Sequence, residues 1–280
     1  MNRNLKKYFP LFVLPTLAAF TIAFLIPFLL GIYLSFTKFT TVNDASFVGI
    51  DNYIKAFQNH DFLNALWFTT RFVVVSVLTI NIFAFAVALL LTRGKRGTNV
   101  FRTIFFMPNL IGGIVLGYIW KLIINGILYR YGVTLTYSEN YGFWGLVVLM
   151  NWQMIGYMMI IYIAGIQNVP DDLTEAAKID GASKWQLLRH VTLPMVMPSI
   201  TICLFLTLSN SFKLFDQNLA LTAGDPSKRS SMLALDIYDT FYGRNGWEGV
   251  GQAKAVVFFL IVAAIALLQL KITRKKEVES

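Results

Sequence analysis

Two runs of otherwise apolar residues carry side chains able to hydrogen-bond. Asn151, Gln153 and Tyr157 lie in the run 143–166, and Gln153 and Tyr157 are one helical turn apart. Thr207, Asn210, Ser211 and Lys213 follow at helical spacing in the run 194–214. Polar groups inside such runs are costly unless they face a cavity or a neighbouring helix. Two chemistries therefore fit. The groups can offer donors, acceptors and an aromatic face to a hydroxyl-rich solute. Alternatively, they hydrogen-bond between helices. The candidate path residues are Asn151, Gln153, Tyr157, Thr207, Asn210 and Ser211. Covalent chemistry lacks its parts. His60 and His190 are the only histidines, far apart and without metal-ligand company. No nucleophile has a base beside it, so no catalytic residue and no metal site are expected. Gly94-Lys95-Arg96 lacks the first glycine and the hydroxyl of a phosphate-binding loop. Cys203, the single cysteine, permits no intrachain disulfide and reads as a small packing residue.

The elements that hold these residues are membrane-spanning helices. Hydrophobic residues make up 56% of the 280 and charged ones only 14%, against about 25% charged in soluble domains. Six apolar runs, 11–35, 66–91, 104–124, 143–166, 194–214 and 251–270, are each long enough to cross a ~30 Å hydrocarbon core. They lack the strict alternation of a β-barrel. The expected fold is all-α: one domain over 1–280, six transmembrane helices, both termini inside. Charge placement supports that orientation. Segments 1–10, 92–103, 167–193 and 271–280 hold 14 of the 24 Lys and Arg, with far fewer in the longer outer loops. The charge of +9 is thereby explained at a membrane surface and does not indicate nucleic acid. The first run is too long and too proline-bearing for a signal peptide and is expected to be a retained helix. Arg71 is expected to snorkel to an interface, and Gly113-x-x-x-Gly117 to pack its helix against a neighbour. Residues 232–241 form a short amphipathic stretch.

The loop 167–193 is far longer than a reversal between two helices needs, and its chemistry is ordered. Asp171, Asp172 and Glu175 favour a helix start behind Pro170. Gly181 suits a left-handed stop. Ser183 and Gln186 make a capping box for a second helix over 184–190, and Pro194 suits the first turn of the fifth span. Leu173, Ile179, Trp185 and Leu188 offer apolar contact area, and Ala176 with Ala177 leaves one face small. Docking to a partner and lying on lipid headgroups are both compatible with this.

The spacing Glu175-Ala176-Ala177, then Gly181, then Val191, Leu193 and Pro194, with Asp180 and Ala182 flanking the glycine, resembles the EAA loop of binding-protein-dependent ABC importer permeases. The resemblance implies that these residues form the helix through which a separate ATPase drives the spans between inward- and outward-facing states. It implies a chain that binds no cofactor itself, with ATP and Mg handled by two partner ATP-binding subunits. It also implies a second homologous permease in a heterodimer, an extracytoplasmic sugar-binding protein, and a bacterial or archaeal cytoplasmic membrane.

The segment from Phe215-Asp216 through Leu221-Thr222 to Pro226 resembles that of carbohydrate permeases, with Ala223 and Asp225 in place of two glycines. Gly49, Asn52 and Tyr53 resemble another motif of that group. The likeness is greatest to the maltose-type carbohydrate-uptake class, and the large extra periplasmic domain of the maltose permease itself is not expected here. It implies a sugar or oligosaccharide as solute, with Tyr157 matching a sugar-facing tyrosine. A polyol, glycerol phosphate or lipopeptide remains an alternative. An ion-coupled secondary carrier is a further one, disfavoured by the lack of a repeated half and of a buried mid-span carboxylate.

Overall fold

The computed structural model describes residues 3–92 and 97–275. The basic residues Arg93, Lys95, Arg96 and Lys276 lie outside the described residues. In chain order the helices begin with α1 (Arg3–Phe20), a π turn (Thr21–Leu25) and α2 (Ile26–Leu34), followed by strands β1 (Thr37–Lys38) and β2 (Ser46–Phe47). Then come α3 (Asp51–Gln58), α4 (His60–Leu91), α5 (Thr98–Phe106), α6 (Gly113–Leu128) and α7 (Glu139–Gln167). The remaining helices are α8 (Asp171–Ile179), α9 (Lys184–Leu187), α10 (Leu193–Met195), α11 (Met197–Phe212), α12 (Asp216–Leu221), α13 (Leu233–Gly243) and α14 (Glu248–Arg274). The chain divides into two compact units.

One unit holds the residues up to Phe62 together with Ile237–Phe259. Its first span, Phe12–Leu34, is long and apolar enough to cross a membrane, yet only 6% of its most apolar window is buried. The segment that follows is well tied down. β1 and β2 pair antiparallel, Thr37 with Phe47 and Lys38 with Ser46. Between them, the Thr40 and Thr41 amides donate to Asp44 Oδ1 at 2.9 Å each, which holds the Asp44 carboxyl below the usual carboxylate range. Asn52 is buried, and its Nδ2 donates to the carbonyls of Ser35 and Thr37 at 2.9 and 2.8 Å. Buried backbone acceptors need such partners, so the Gly49–Tyr53 motif closes off the end of α2. Arg244 and Asp61 form an ion pair at 2.6 Å. Lys254 is fully buried and donates to Thr240 Oγ1 at 2.7 Å.

The other unit, Leu63–Asp236 with the residues from Leu260 onward, is organised on α7. That helix has 29 residues and is about 44 Å long at 1.5 Å per residue. Apolar side chains occur on all its faces, as on a helix packed within protein, and 61% of its most apolar window is buried. Phe68, Ile80, Leu146, Met150, Met158 and Tyr162 belong to one core. A buried polar chain joins three helices. Tyr162 OH donates to Asn81 Oδ1 at 2.6 Å, and Asn81 Nδ2 donates to Thr207 Oγ1 at 2.9 Å.

Four helices or helical segments (Phe12–Leu34, α4, α7 and α14) are unbroken and apolar enough to span, and two bent pairs raise the possible number to six. The third and fifth runs, each expected as one transmembrane helix, are bent pairs. The third breaks at Ile111–Gly112, after a 3-10 turn (Met107–Leu110) in which Pro108 lacks a donor, and is bent there by 102°. The fifth breaks at Val196 and is bent there by 70°. Pro194 does not open the long helix. It lies in α10, before the break, and Pro198 occupies the first turn of α11. α4 starts six residues earlier than its apolar run, at His60. Cys203 is buried as a packing residue.

Candidate functional site

Two places carry the predicted residues. The first is a polar cavity of about 460 Å³ among α7, α11, α12 and the bend before α6. Gln153, Tyr157 and Asn210 line it. Asn151, Thr207 and Ser211 do not. Asn151 turns back along α7, its Nδ2 donating to the Val147 carbonyl at 2.8 Å. Thr207 is fully buried in the interhelical chain with Asn81 and donates to the Cys203 carbonyl at 2.6 Å. Ser211 is also buried away from the cavity. On a helix, residues one position apart point about 100° away from each other, so only part of each polar cluster can face one opening.

The cavity also contains residues that spacing did not single out: Asn109 and Gln217, together with Lys213. Gln217 Nε2 donates to Gln153 Oε1 at 2.8 Å, so the two amides form one polar wall. α12 carries Gln217, and α12 is placed by glycines on α6. A Cβ on Gly117 would lie 2.6 Å from Ala220 Cβ, and one on Gly113 2.7 Å from Asp216 Cβ. The Gly113/Gly117 pair does pack its helix closely, against this short helix rather than another span. On α7, beside Tyr157, a Cβ on Gly156 would overlap the Phe105 carbonyl. That close approach sets the end of α5 across α7 and leaves the Phe106 and Tyr157 rings 6.3 Å apart. α12 continues into a turn organised by Asn218, which is fully buried. Its Nδ2 donates to Thr222 Oγ1 at 2.9 Å and the Ser230 carbonyl at 2.8 Å, and its Oδ1 accepts from the Met232 amide at 2.9 Å. A signal for Asn218 and Gln217 was present in the Phe215–Pro226 motif, but no spacing rule ranks them.

The second place is the loop. α8 starts behind Pro170 with Asp171 and Asp172 in its first turn. It ends in paired hydrogen bonds, Ala182 N–H to the Ala177 carbonyl at 2.9 Å and Gly181 N–H to the Lys178 carbonyl at 3.1 Å. Gly181 has φ +80°, which is the left-handed closure of a Schellman stop. Ser183 and Gln186 exchange both bonds of the capping box: Ser183 N–H to Gln186 Oε1 at 2.8 Å, and Gln186 N–H to Ser183 Oγ at 3.3 Å. The second helix is shorter than expected. α9 ends at Leu187 and passes through a π turn, Leu188–Thr192, into α10. A wider turn leaves fewer close backbone bonds there. Glu175, Ala176, Asp180 and Gly181 are exposed, Ala177 and Ala182 half-buried. Ile179 is 86% and Trp185 66% exposed. Leu193 and Pro194 lie in α10 at the base of the loop.

Arg71 does more than reach for an interface. Its Nη1 lies 3.4 Å from Glu139 Oε1, and its guanidinium stands 4.8 Å over the Phe143 ring. Among the described residues no cluster of His, Cys, Asp and Glu could hold a metal.

The family model described as "Binding-protein-dependent transport system inner membrane component" matches residues 80–277, which take in both places. The probable starch degradation products transport system permease protein AmyD of Thermoanaerobacterium thermosulfurigenes is 46% identical over 278 residues, covering 96% of this chain and 94% of its own. The multiple sugar-binding transport system permease protein MsmF of Streptococcus mutans is 29% identical, covering 99% of both chains. Among solved structures, a bacterial ABC transporter involved in the import of the acidic polysaccharide alginate superposes with a TM-score of 0.80. It covers 98% of both chains at 21% identity, a likeness of fold.

Proposed function

Because this chain belongs to the family of binding-protein-dependent transport system inner membrane components, we propose that it is one membrane subunit of an ATP-driven importer for a sugar or oligosaccharide. It would cross the membrane six times, with the two bent pairs each counting as one span and both termini inside, in a bacterial or archaeal cytoplasmic membrane. The charge bias across the loops supports that orientation. The named substrates of the similar permeases, starch degradation products and multiple sugars, support the solute class.

The observation that carries the reading is the loop: two helices fixed by a Schellman stop and a reciprocal capping box, with Ile179 and Trp185 exposed. Local bonds give this order to a segment that leaves Leu173, Ile179 and Trp185 exposed, so these apolar residues are available to another protein. In this reading Glu175, Ala176, Ala177, Asp180, Gly181 and Ala182 meet a groove of an ATP-binding subunit, and Leu193 and Pro194 pass the motion to α11. Two such subunits bind ATP and Mg. A second permease, distinct in sequence, completes the path, and the weak burial of Phe12–Leu34 leaves a face for it or for lipid. An extracytoplasmic sugar-binding protein delivers the solute. Within the path, Gln153, Tyr157, Asn210 and Gln217 present amides and a ring to hydroxyls and C–H faces.

The test is co-purification with the cognate ATP-binding subunit. Gly181→Val strains a backbone at positive φ and should lower recovery of that subunit about tenfold, with the spans still folded by circular dichroism. Full recovery together with normal sugar uptake would remove the loop from the coupling path.

A further inference from the structure

A second cavity, of about 450 Å³, opens between residues 67–75 of α4 and the first turns of α7. It is unlike the transport cavity in chemistry. Trp67 and Trp144 stand on its sides, Val74 and Phe143 form its apolar wall, and Arg71 is its charged member. Both tryptophans are mostly exposed, as is Val74. Arg71 and Glu139 are a loose pair at 3.4 Å, with side chains 33% and 32% exposed. One guanidinium N–H of five is used on the carboxylate, and Glu139 keeps a second oxygen.

The two helices start on the same side of any bilayer they cross together, so the groove lies at one interface. An apolar wall flanked by tryptophans, with a charged pair toward the helix starts, is the arrangement that favours an acyl chain on the wall and a headgroup at the charges. The charges then specify the headgroup. Guanidinium donors suit a phosphodiester. The neighbouring carboxylate suits an ammonium, and it repels an anionic headgroup. The pair sums to zero charge, so its complement is a zwitterion rather than an anion.

We propose that this groove is a binding site for an amine-bearing glycerophospholipid of the phosphatidylethanolamine type, phosphate on Arg71, ammonium on Glu139, and one acyl chain along Val74 and Phe143. The site is separate from the transport path. It requires only that α4 and α7 cross a bilayer, so uptake measurements and lipid measurements fail independently.

The test is native mass spectrometry of the full chain in its transport complex, equilibrated with palmitoyl-oleoyl phosphatidylethanolamine or the corresponding phosphatidylglycerol. Wild type should retain one phosphatidylethanolamine per copy of the chain, about tenfold tighter than phosphatidylglycerol. Glu139→Gln should bring the two lipids to nearly equal affinity while binding persists. Val74→Trp should fill the groove and release both lipids with the melting temperature unchanged. Arg71→Gln should weaken both about tenfold; if that chain misfolds, the other two variants still decide. Equal affinity in wild type, preference for phosphatidylglycerol, or lipid retention unaffected by Val74→Trp would each overturn the proposal. So would crosslinking of a partner protein through residue 74 in the intact complex.

Discussion

The loop 171–195 and the cavity around Gln153 lie in the same compact unit but are built in opposite ways. The loop's order comes from bonds spanning three to five residues, such as Ser183 with Gln186 and Ala182 with Ala177. Its apolar Leu173, Ile179 and Trp185 are exposed. The cavity's order comes from contacts between residues far apart in sequence, such as Gln217 with Gln153 and Gly156 with Phe105. A surface meant to meet another protein can be specified locally and left open. A space for a solute must be enclosed, and enclosure needs several helices at once.

That contrast predicts where damage should fall. Gly156→Ala inserts a methyl against the Phe105 carbonyl, in a place where neither backbone can move cheaply. It should cost about 3 kcal/mol or more, read as loss of detergent-stable protein on size exclusion. If Gly156→Ala matches wild type in yield and melting, the crossing of α5 over α7 is not as tight as described. Tyr157→Ala should come next: uptake of the cognate sugar falls about a hundredfold while assembly with the ATP-binding subunit is unchanged. Normal kinetics in that variant would take Tyr157 out of the path. Gln217→Leu removes half of the amide wall and should raise the half-saturating sugar concentration about tenfold, with little change in stability. An unaltered saturation curve would leave Gln217 as a packing group only. Ser183→Ala deletes one capping bond and should be the mildest. It should weaken ATPase recovery about fivefold, as expected for a cap worth about 1 kcal/mol, without affecting the spans. Sharing of these phenotypes between loop and cavity variants would dissolve the distinction.

Much of this was legible beforehand, and the misses have physical causes. Gly181 and the Ser183/Gln186 box were readable because capping depends on a few adjacent residues. Length and apolarity indicated spans, but not that the third and fifth are bent by 102° and 70°. Pro108 and Pro194 were visible, yet a proline in an apolar run signals neither the size of a bend nor its side, and Pro198 was the one at the start of α11. Thr207 illustrates the limit for side chains. Its type and spacing matched those of Asn210, but Asn81 and Tyr162 claim it for the interior.

Composition and short-range chemistry by themselves determined that this chain is helical and apolar enough for a membrane, that its sequence holds no phosphate-loop motif, and that it carries a capped two-helix loop. These follow from bulk apolarity and from hydrogen bonds that close within one or two turns. Tertiary structure alone decided which polar residues share an opening, which helix brings Gln217 to Gln153, and that Arg71 and Glu139 meet above an apolar groove. Those outcomes depend on the rotation of each helix about its axis and on how closely glycines let backbones approach, which no local pattern encodes.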